Sequence, residues 1–304
     1  MSSRKDRFIT LVFGAAWKLV RLLPEWMAYA LFSFIADVLY SRQAKDVLRL
    51  QSNLRRVVGP EVSDADLRKL TRVAMHSYLR YWCEVFRLPS WTDDDIRSKM
   101  GVVGEPFLVE ALAEGKGVVI VTPHMGNWDH AGVWVSTVHS VVTTVAERLE
   151  PEELFQKFLD VRLARGIDVI PLTGGVPPYP YLLNRIEQGR LIALVADRDL
   201  SRGAISVNFF GAEARFPPGP AALAVDTGAV LLPTAMYYED GRNWVRFYPR
   251  IEVPADGRRL LQVREVTQKV ADRFEEIIGE HPADWHMMQR VWVDDLDPTR
   301  VASE

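Results

Sequence analysis

The stretch from Val118 to Gly132 constrains this chain more than any other. Val118-Val119-Ile120-Val121-Thr122 is a run of β-branched residues that Pro123 stops, and it reads as a buried strand. Beyond it, helix and strand signals alternate. Strands are expected over 141–146, 168–171, 191–196, 205–209, 229–237 and 243–251, and helices over 151–165, 179–188, 219–227 and 261–278. That alternation argues for an α/β fold, a central mostly parallel, mixed sheet flanked by helices. No internal repeat, low-complexity segment or linker interrupts it.

Chemistry follows directly after the buried run. His124 and Asp129 are separated by four residues that include Gly126 and Asn127, so the chain can turn and bring the carboxylate back to the imidazole. A carboxylate on one ring nitrogen fixes the tautomer and leaves the other free to take a proton from a hydroxyl. In parallel sheets, ligands collect outside the carboxyl ends of the strands. Three expected strand ends carry charge here: His124 with Asp129, Glu147-Arg148, and Asp197-Arg198-Asp199. Divalent metal on His124, Asp129 and His130 is the competing chemistry. It is disfavoured because neighbouring residues 129 and 130 point different ways from a helix, and His281 and His286 lie in a late polar segment; no metal and no cofactor is expected.

Composition narrows the function classes. With 304 residues, 48% of them hydrophobic, the chain can bury one large α/β core. A net charge of −3 offers nucleic acid no global attraction. The lone Cys83 excludes an internal disulfide and fits a reducing compartment. No apolar run is long enough to span a bilayer, since Lys18, Arg21 and Asp37 interrupt the best candidates. The start resembles a secretory leader but has no small-residue cleavage site, so it is read as retained.

Residues 8–23 and 25–40, separated by Pro24, read as two apolar helices with narrow polar stripes. The cationic positions Lys18 and Arg21, with Trp17 and Trp26 alongside, suit a membrane interface as well as a packed core. The domain plan is therefore 1–44 as N-terminal amphipathic membrane-associating helices, 45–293 as the α/β domain and 294–304 as a disordered tail. Residues 45–56 form a basic helix with Arg49, Arg55 and Arg56, and 64–88 a long helix. In it Tyr78, Tyr81, Trp82 and Phe86 are expected to be core, and Glu84 and Arg87 to pair.

His124-Met125-Gly126-Asn127-Trp128-Asp129 after a hydrophobic strand resembles the hallmark of the glycerolipid and lipid A acyltransferases. The likeness is to the branch holding lipid A lauroyl acyltransferases and actinobacterial phosphatidylinositol mannoside acyltransferases. Arg80-Tyr81-Trp82 with Glu84, Phe86-Arg87-Leu88-Pro89, Asp197-Arg198-Asp199, Phe209-Phe210-Gly211 and Arg215-Phe216-Pro217-Pro218-Gly219-Pro220 extend it over nearly the whole chain. The resemblance implies His124 as general base with Asp129 as its partner, and Asp197 close to the imidazole. It implies Glu147 near the acceptor, Arg162 holding the site or a phosphate, and Arg198 on an anion or oxyanion. Arg215 and Gly219 match a late loop that leads into a helix, whose N-H groups attract anions. A buried ion pair is the competing reading of Glu147 and Asp197.

The implied reaction is transfer of a palmitoyl-like chain from acyl-CoA to a mannose hydroxyl of a membrane glycolipid. The enzyme would be peripheral on the cytoplasmic face of the cell membrane. A lipid A lauroyl-type transfer from acyl carrier protein, and a lipid or thioester hydrolase, are the alternatives. No Gly-x-Ser-x-Gly elbow is present, so no acyl-enzyme is expected.

Overall fold

A computed structural model describes residue 14 and residues 17–148, 151–199, 201 and 203–296. After a helical stretch at 17–22 come α1 (Glu25–Ser41), α2 (Lys45–Val58) and α3 (Asp64–Arg87). The short α4 (Asp93–Ser98) leads into β1 (Met100–Val103), α5 (Glu105–Ala113), β2 (Val118–Thr122) and α6 (Trp128–Val138). The alternating part continues with β3 (Val142–Ala146), α7 (Glu152–Ala164), β4 (Ile167–Pro171), α8 (Pro178–Glu187) and β5 (Leu191–Val195). A hairpin of β6 (Ile205–Phe209) and β7 (Ala212–Phe216) precedes α9 (Gly219–Thr227), β8 (Val230–Glu239), β9 (Arg242–Phe247) and α10 (Arg259–Glu280).

The main sheet has seven strands in the order β1-β9-β8-β2-β5-β3-β4, and only the β8–β9 pairing is antiparallel. The fold is the mostly parallel α/β sheet that alternation implied. β2 lies between β8 and β5, and all five of its residues are buried. Val119 and Val121 pack into a core with α8, α9 and α10, while Val118 and Ile120 pack into a second core with α5 and α6. Both faces are covered, which is why the run contains no polar alternation. Sequence periodicity misses α4, β1, α5 and β7. Each is short, and β7 is entered through Phe210 and Gly211, both at positive φ, a tight turn that a Phe-Gly pair does not advertise. The 205–209 strand forms, but pairs only with β7, outside the main sheet.

Helix α1 packs on α3 through Ala28, Phe32 and Ala36, in a core shared with Leu50, Leu54 and Met75. Its other side leaves Trp26 and Phe34 exposed, and Leu22 just before it is exposed too. For Trp17, which suits a membrane interface or a packed core, the core reading holds: it is buried against Phe86 and Phe158, its indole donating to the Phe86 carbonyl. The expected Glu84–Arg87 pair does not form. Glu84 takes Arg80 one turn earlier at 2.8 Å, and Arg87 caps the carbonyls of Val20 and Leu23. In the basic α2, Arg55 pairs with Asp64 and Arg56 with Asp295. Cys83 is a core residue whose thiol burial pushes up to about 12. Of the expected tail, 294–296 are described, with Asp295 in a short helical turn; 297–304, like most of 1–16, lie outside the described residues.

Between β2 and α6, Gly126 holds φ +54°, and a Cβ there would stand 2.4 Å from the backbone carbonyl of Met236. Backbone cannot move aside as a flexible side chain can. Gly126→Ala is therefore expected to lower the unfolding free energy by about 2–4 kcal/mol, read as a shifted denaturant midpoint at constant slope.

Candidate active site

The site grows out of the register of two parallel strands. Thr122 at the end of β2 sits opposite Val195 at the end of β5, and the ladder runs one step further through Ala196 N-H to the Thr122 carbonyl. The next residues, His124 and Asp197, therefore face each other across the rim. Asp197 Oδ1 lies 2.5 Å from His124 Nδ1, and Oδ2 accepts the His124 backbone N-H at 2.9 Å. Asp197 is wholly buried, whereas the imidazole side chain keeps 42% of its surface exposed, so the ring is gripped at Nδ1 and open elsewhere.

Asp129 does not hold the imidazole, which corrects the expectation from spacing. The residues between them do not close a tight turn. Asn127 caps α6 by accepting the His130 N-H at 2.9 Å, and the helix starts at Trp128. Asp129 thus falls in the first helical turn, where its carboxylate accepts Arg162 Nε at 2.7 Å and Nη2 at 3.1 Å, and the Tyr81 hydroxyl at 2.9 Å. Arg162 comes from α7 and Tyr81 from α3, so Asp129 ties three helices together beneath the rim. Arg162 is then engaged by this carboxylate.

The remaining expected residues divide. Glu147, exposed in the loop after β3, and Arg198, beside Asp197, both lie close enough to influence the imidazole's charge. Arg198 Nε donates to the Arg290 carbonyl at 2.8 Å. Asp199 turns away, accepting from Ser201, and its N-H meets the Arg215 carbonyl at 2.8 Å. Arg215 belongs to β7 and donates to the Ser201 carbonyl, so it borders the loop after β5 and makes no bond to the His124–Asp197 pair. Gly219 opens α9 with no neighbour within 4 Å of where its Cβ would be. His130 is buried, bonds the Ile96 carbonyl and packs its ring on Trp91.

Sequence reasoning missed the groups that support the pair. Glu84, buried in α3, accepts the Asn127 amide at 2.7 Å and so fixes the cap of α6. Asn before a helix is a legible cap signal; Glu84 stands in the stretch that carries the resemblance, but its bond to Asn127 has no local signal. Tyr81, read as core, is buried but reaches Asp129. Residues 284–286 run antiparallel to 124–126: Gly126 N-H donates to the Asp284 carbonyl and His286 N-H to the His124 carbonyl, and Trp285 Nε1 donates to Asp197 Oδ2 at 2.8 Å.

An apolar cavity of about 100 Å³ lies between α6 and the sheet, with Trp128 rather than His124 or Asp197 in its wall. Ile120, Val135, Val142, Ala193 and Phe247 line it, and Trp128, Asp129 and Arg162 form its polar side. Trp128 connects cavity and ring: its indole stacks on Tyr81 at 4.1 Å and meets His124 edge-on at 5.8 Å. The walls of the cavity are mainly apolar, the chemistry that suits a hydrocarbon chain.

Burial alone would push His124 toward the neutral form; the charge and hydrogen bond of Asp197 outweigh it, and the ring's pKa is raised. Asp197 is likewise opposed by burial and yet held below the carboxylate range by His124 and the N-H groups around it. The buried His130 and His286 lack such a partner. Burial drives His130 down to about 4 and His286 to about 3.

Comparison with known proteins supplies the class. Two phosphatidylinositol mannoside acyltransferases are similar over most of their length. That of Mycolicibacterium smegmatis is 42% identical over 294 residues, covering 96% of this chain and 94% of the relative. That of Mycobacterium tuberculosis (strain ATCC 25618 / H37Rv) is 43% identical over 295 residues, covering 95% and 90%. The protein is an acyltransferase of mostly parallel α/β fold. It belongs to the bacterial lipid A biosynthesis acyltransferase family, whose profile matches residues 2–294.

Two predictions follow from these charges. Removing Arg162 leaves Asp129 buried with the Tyr81 phenol as its remaining side-chain partner among the described residues, so Arg162→Ala is expected to cost on the order of 3 kcal/mol in chemical denaturation. Histidines whose folded pKa is depressed stabilise above the unfolded value of about 6.5, and that contribution is lost as pH falls through the window down to about 4. His130→Gln keeps an N-H for Ile96 but cannot protonate, and it is expected to flatten part of the stability loss measured between those pH values.

Proposed function

We propose that this chain transfers a fatty acyl group from acyl-CoA to a mannose hydroxyl of a phosphatidylinositol mannoside, with His124 as general base. One observation carries the reading: an imidazole held at Nδ1 by a buried carboxylate, open on its other side, and edge-on to Trp128, which stands in the wall of an apolar cavity. The named relatives support the acceptor. The fatty chain enters the cavity past Trp128, which leaves its thioester carbonyl near the ring.

Asp197 accepts from Nδ1-H, so Nε2 carries the lone pair. As the acceptor oxygen bonds to the thioester carbon, its proton passes to Nε2, and the imidazolium that forms is stabilised by Asp197. Arg198 supplies positive charge toward the tetrahedral oxyanion. Collapse breaks the C-S bond, and the CoA thiolate takes the proton back from the imidazolium. Ester and thiol are the products, with no cofactor used. Glu147 orients the acceptor sugar, while Arg215 and the amides at the start of α9 attract phosphate at the margin of the site. Asp129 acts through structure, by holding α6 on Arg162 and Tyr81.

The acceptor lies in a membrane, and among the described residues no helix is long and apolar enough to cross one. The exposed Leu22, Trp26 and Phe34, with Lys18 and Arg21 nearby, suit peripheral docking on the cytoplasmic face.

Incubation with labelled acyl-CoA and total membrane lipid, followed by mass analysis, tests the reaction. The expected product is an acylated phosphatidylinositol mannoside, and His124→Ala is expected to reduce its formation by roughly 10²–10⁴-fold while the protein melts normally. Retained turnover overturns the base. Free fatty acid released at full rate without acceptor identifies a hydrolase, and a product formed only with acyl carrier protein corrects the donor. In liposome flotation, a Leu22→Glu/Trp26→Glu/Phe34→Glu variant is expected to remain in the soluble fraction; undiminished flotation overturns the docking surface.

A further inference from the structure

We propose that Trp285 is a positioning residue for the His124–Asp197 pair: its indole N-H holds the second carboxylate oxygen and thereby sets how Asp197 grips the imidazole. The inference rests on His124 as the base and assigns a role to a side chain outside the rim loops.

Asp197 is wholly buried, and burial of a carboxylate is costly unless its oxygens are bonded. Oδ1 is taken by the ring. Oδ2 accepts two N-H groups, the backbone of His124 at 2.9 Å and Trp285 Nε1 at 2.8 Å. The backbone bond ties the acid to the loop; the indole is the one side-chain donor that opposes the ring and stops the carboxylate from swinging. Trp285 can do this because it is immobile. It is fully buried, edge-on to Phe209 and Trp292, and its backbone pairs with Met125 while its two neighbours bond His124 and Gly126. The same segment thus fixes the base through its main chain and the acid through its side chain.

A donor on Oδ2 shares the negative charge of Asp197 and moderates its pull on the Nδ1 proton. Other titratable or charged groups near the ring are Arg198 after the end of β5, Glu147 after the end of β3 and His286, neutral, from the segment itself. None of them bonds Oδ2. Loss of the indole N-H should leave a more basic carboxylate, a better stabilised imidazolium and a base that needs higher pH to become neutral.

Trp285→Phe keeps an aromatic ring and removes the donor. Its acidic limb of kcat/KM against pH is expected to move up by roughly half a unit, with activity recovering toward the parent's at high pH. Trp292→Phe is the matched control, because that indole is equally buried and donates to the Phe209 carbonyl instead. It should lower the melting temperature without moving the limb. A rate that falls uniformly across pH in Trp285→Phe, with an unmoved limb, overturns the proposal and reduces Trp285 to packing.

Proton NMR of the parent protein covers the case in which the variant does not fold. The Trp285 indole N-H resonance, assigned through space to His124 and Asp197, should titrate together with the His124 ring protons. A flat Trp285 resonance across that titration overturns the proposal. Neither NMR outcome depends on turnover, so failure here is distinct from failure of His124→Ala to lose activity.

Discussion

The hydrogen bond between His124 and Asp197 joins the ends of two adjacent parallel strands, and the site depends on it. Parallel pairing puts both carboxyl ends at one edge, and the register that sets Thr122 against Val195 brings residues 124 and 197 together. A slip of one residue would turn one side chain to the wrong face. β2 is protected from such a slip because both its faces are packed into separate cores. The position of the proton-accepting ring is therefore a consequence of how the centre of the sheet packs.

Around that bond the polar groups form a chain of mutual satisfaction. Glu84 bonds Asn127, Asn127 caps α6, and α6 carries Asp129 onto Arg162 and Tyr81. Buried polar groups cost stability unless each is bonded. Here the bonding partners come from α3, α6 and α7, so the network also fixes how those helices sit over the cavity. The acid in the familiar spacing belongs to this supporting layer, and the acid on the base comes from another strand.

Much of this was legible in sequence because it is local. The β-branched run, its Pro123 stop, the alternation that follows and the helix over 219–227 are all written in short-range periodicity, and the structure contains them. The gathering of charge at three strand ends could also be read, since parallel order follows from alternation. What could not be read depends on contacts far apart in the chain. The family resemblance places Asp197 close to the imidazole, as found, but spacing alone points to Asp129; which of the two meets the ring is decided by where α6 begins and which strand neighbours β2. Tyr81 looks like any core aromatic until Asp129 is placed beside it. Trp285 carries no local signal, because its part is set by the return of the chain after α10. Short pieces such as β1 and α4 were missed because they hold too few residues to show a period.

That return has a consequence for how the molecule is assembled. Residues 284–286 brace the loop at 124–126, so neither ring nor carboxylate is secured when the central strands first pair. Their final geometry includes contacts from a segment that follows every strand of the sheet in the chain. A molecule with its sheet formed but residues 284–286 detached would lack both the main-chain bonds to 124–126 and the indole bond to Asp197.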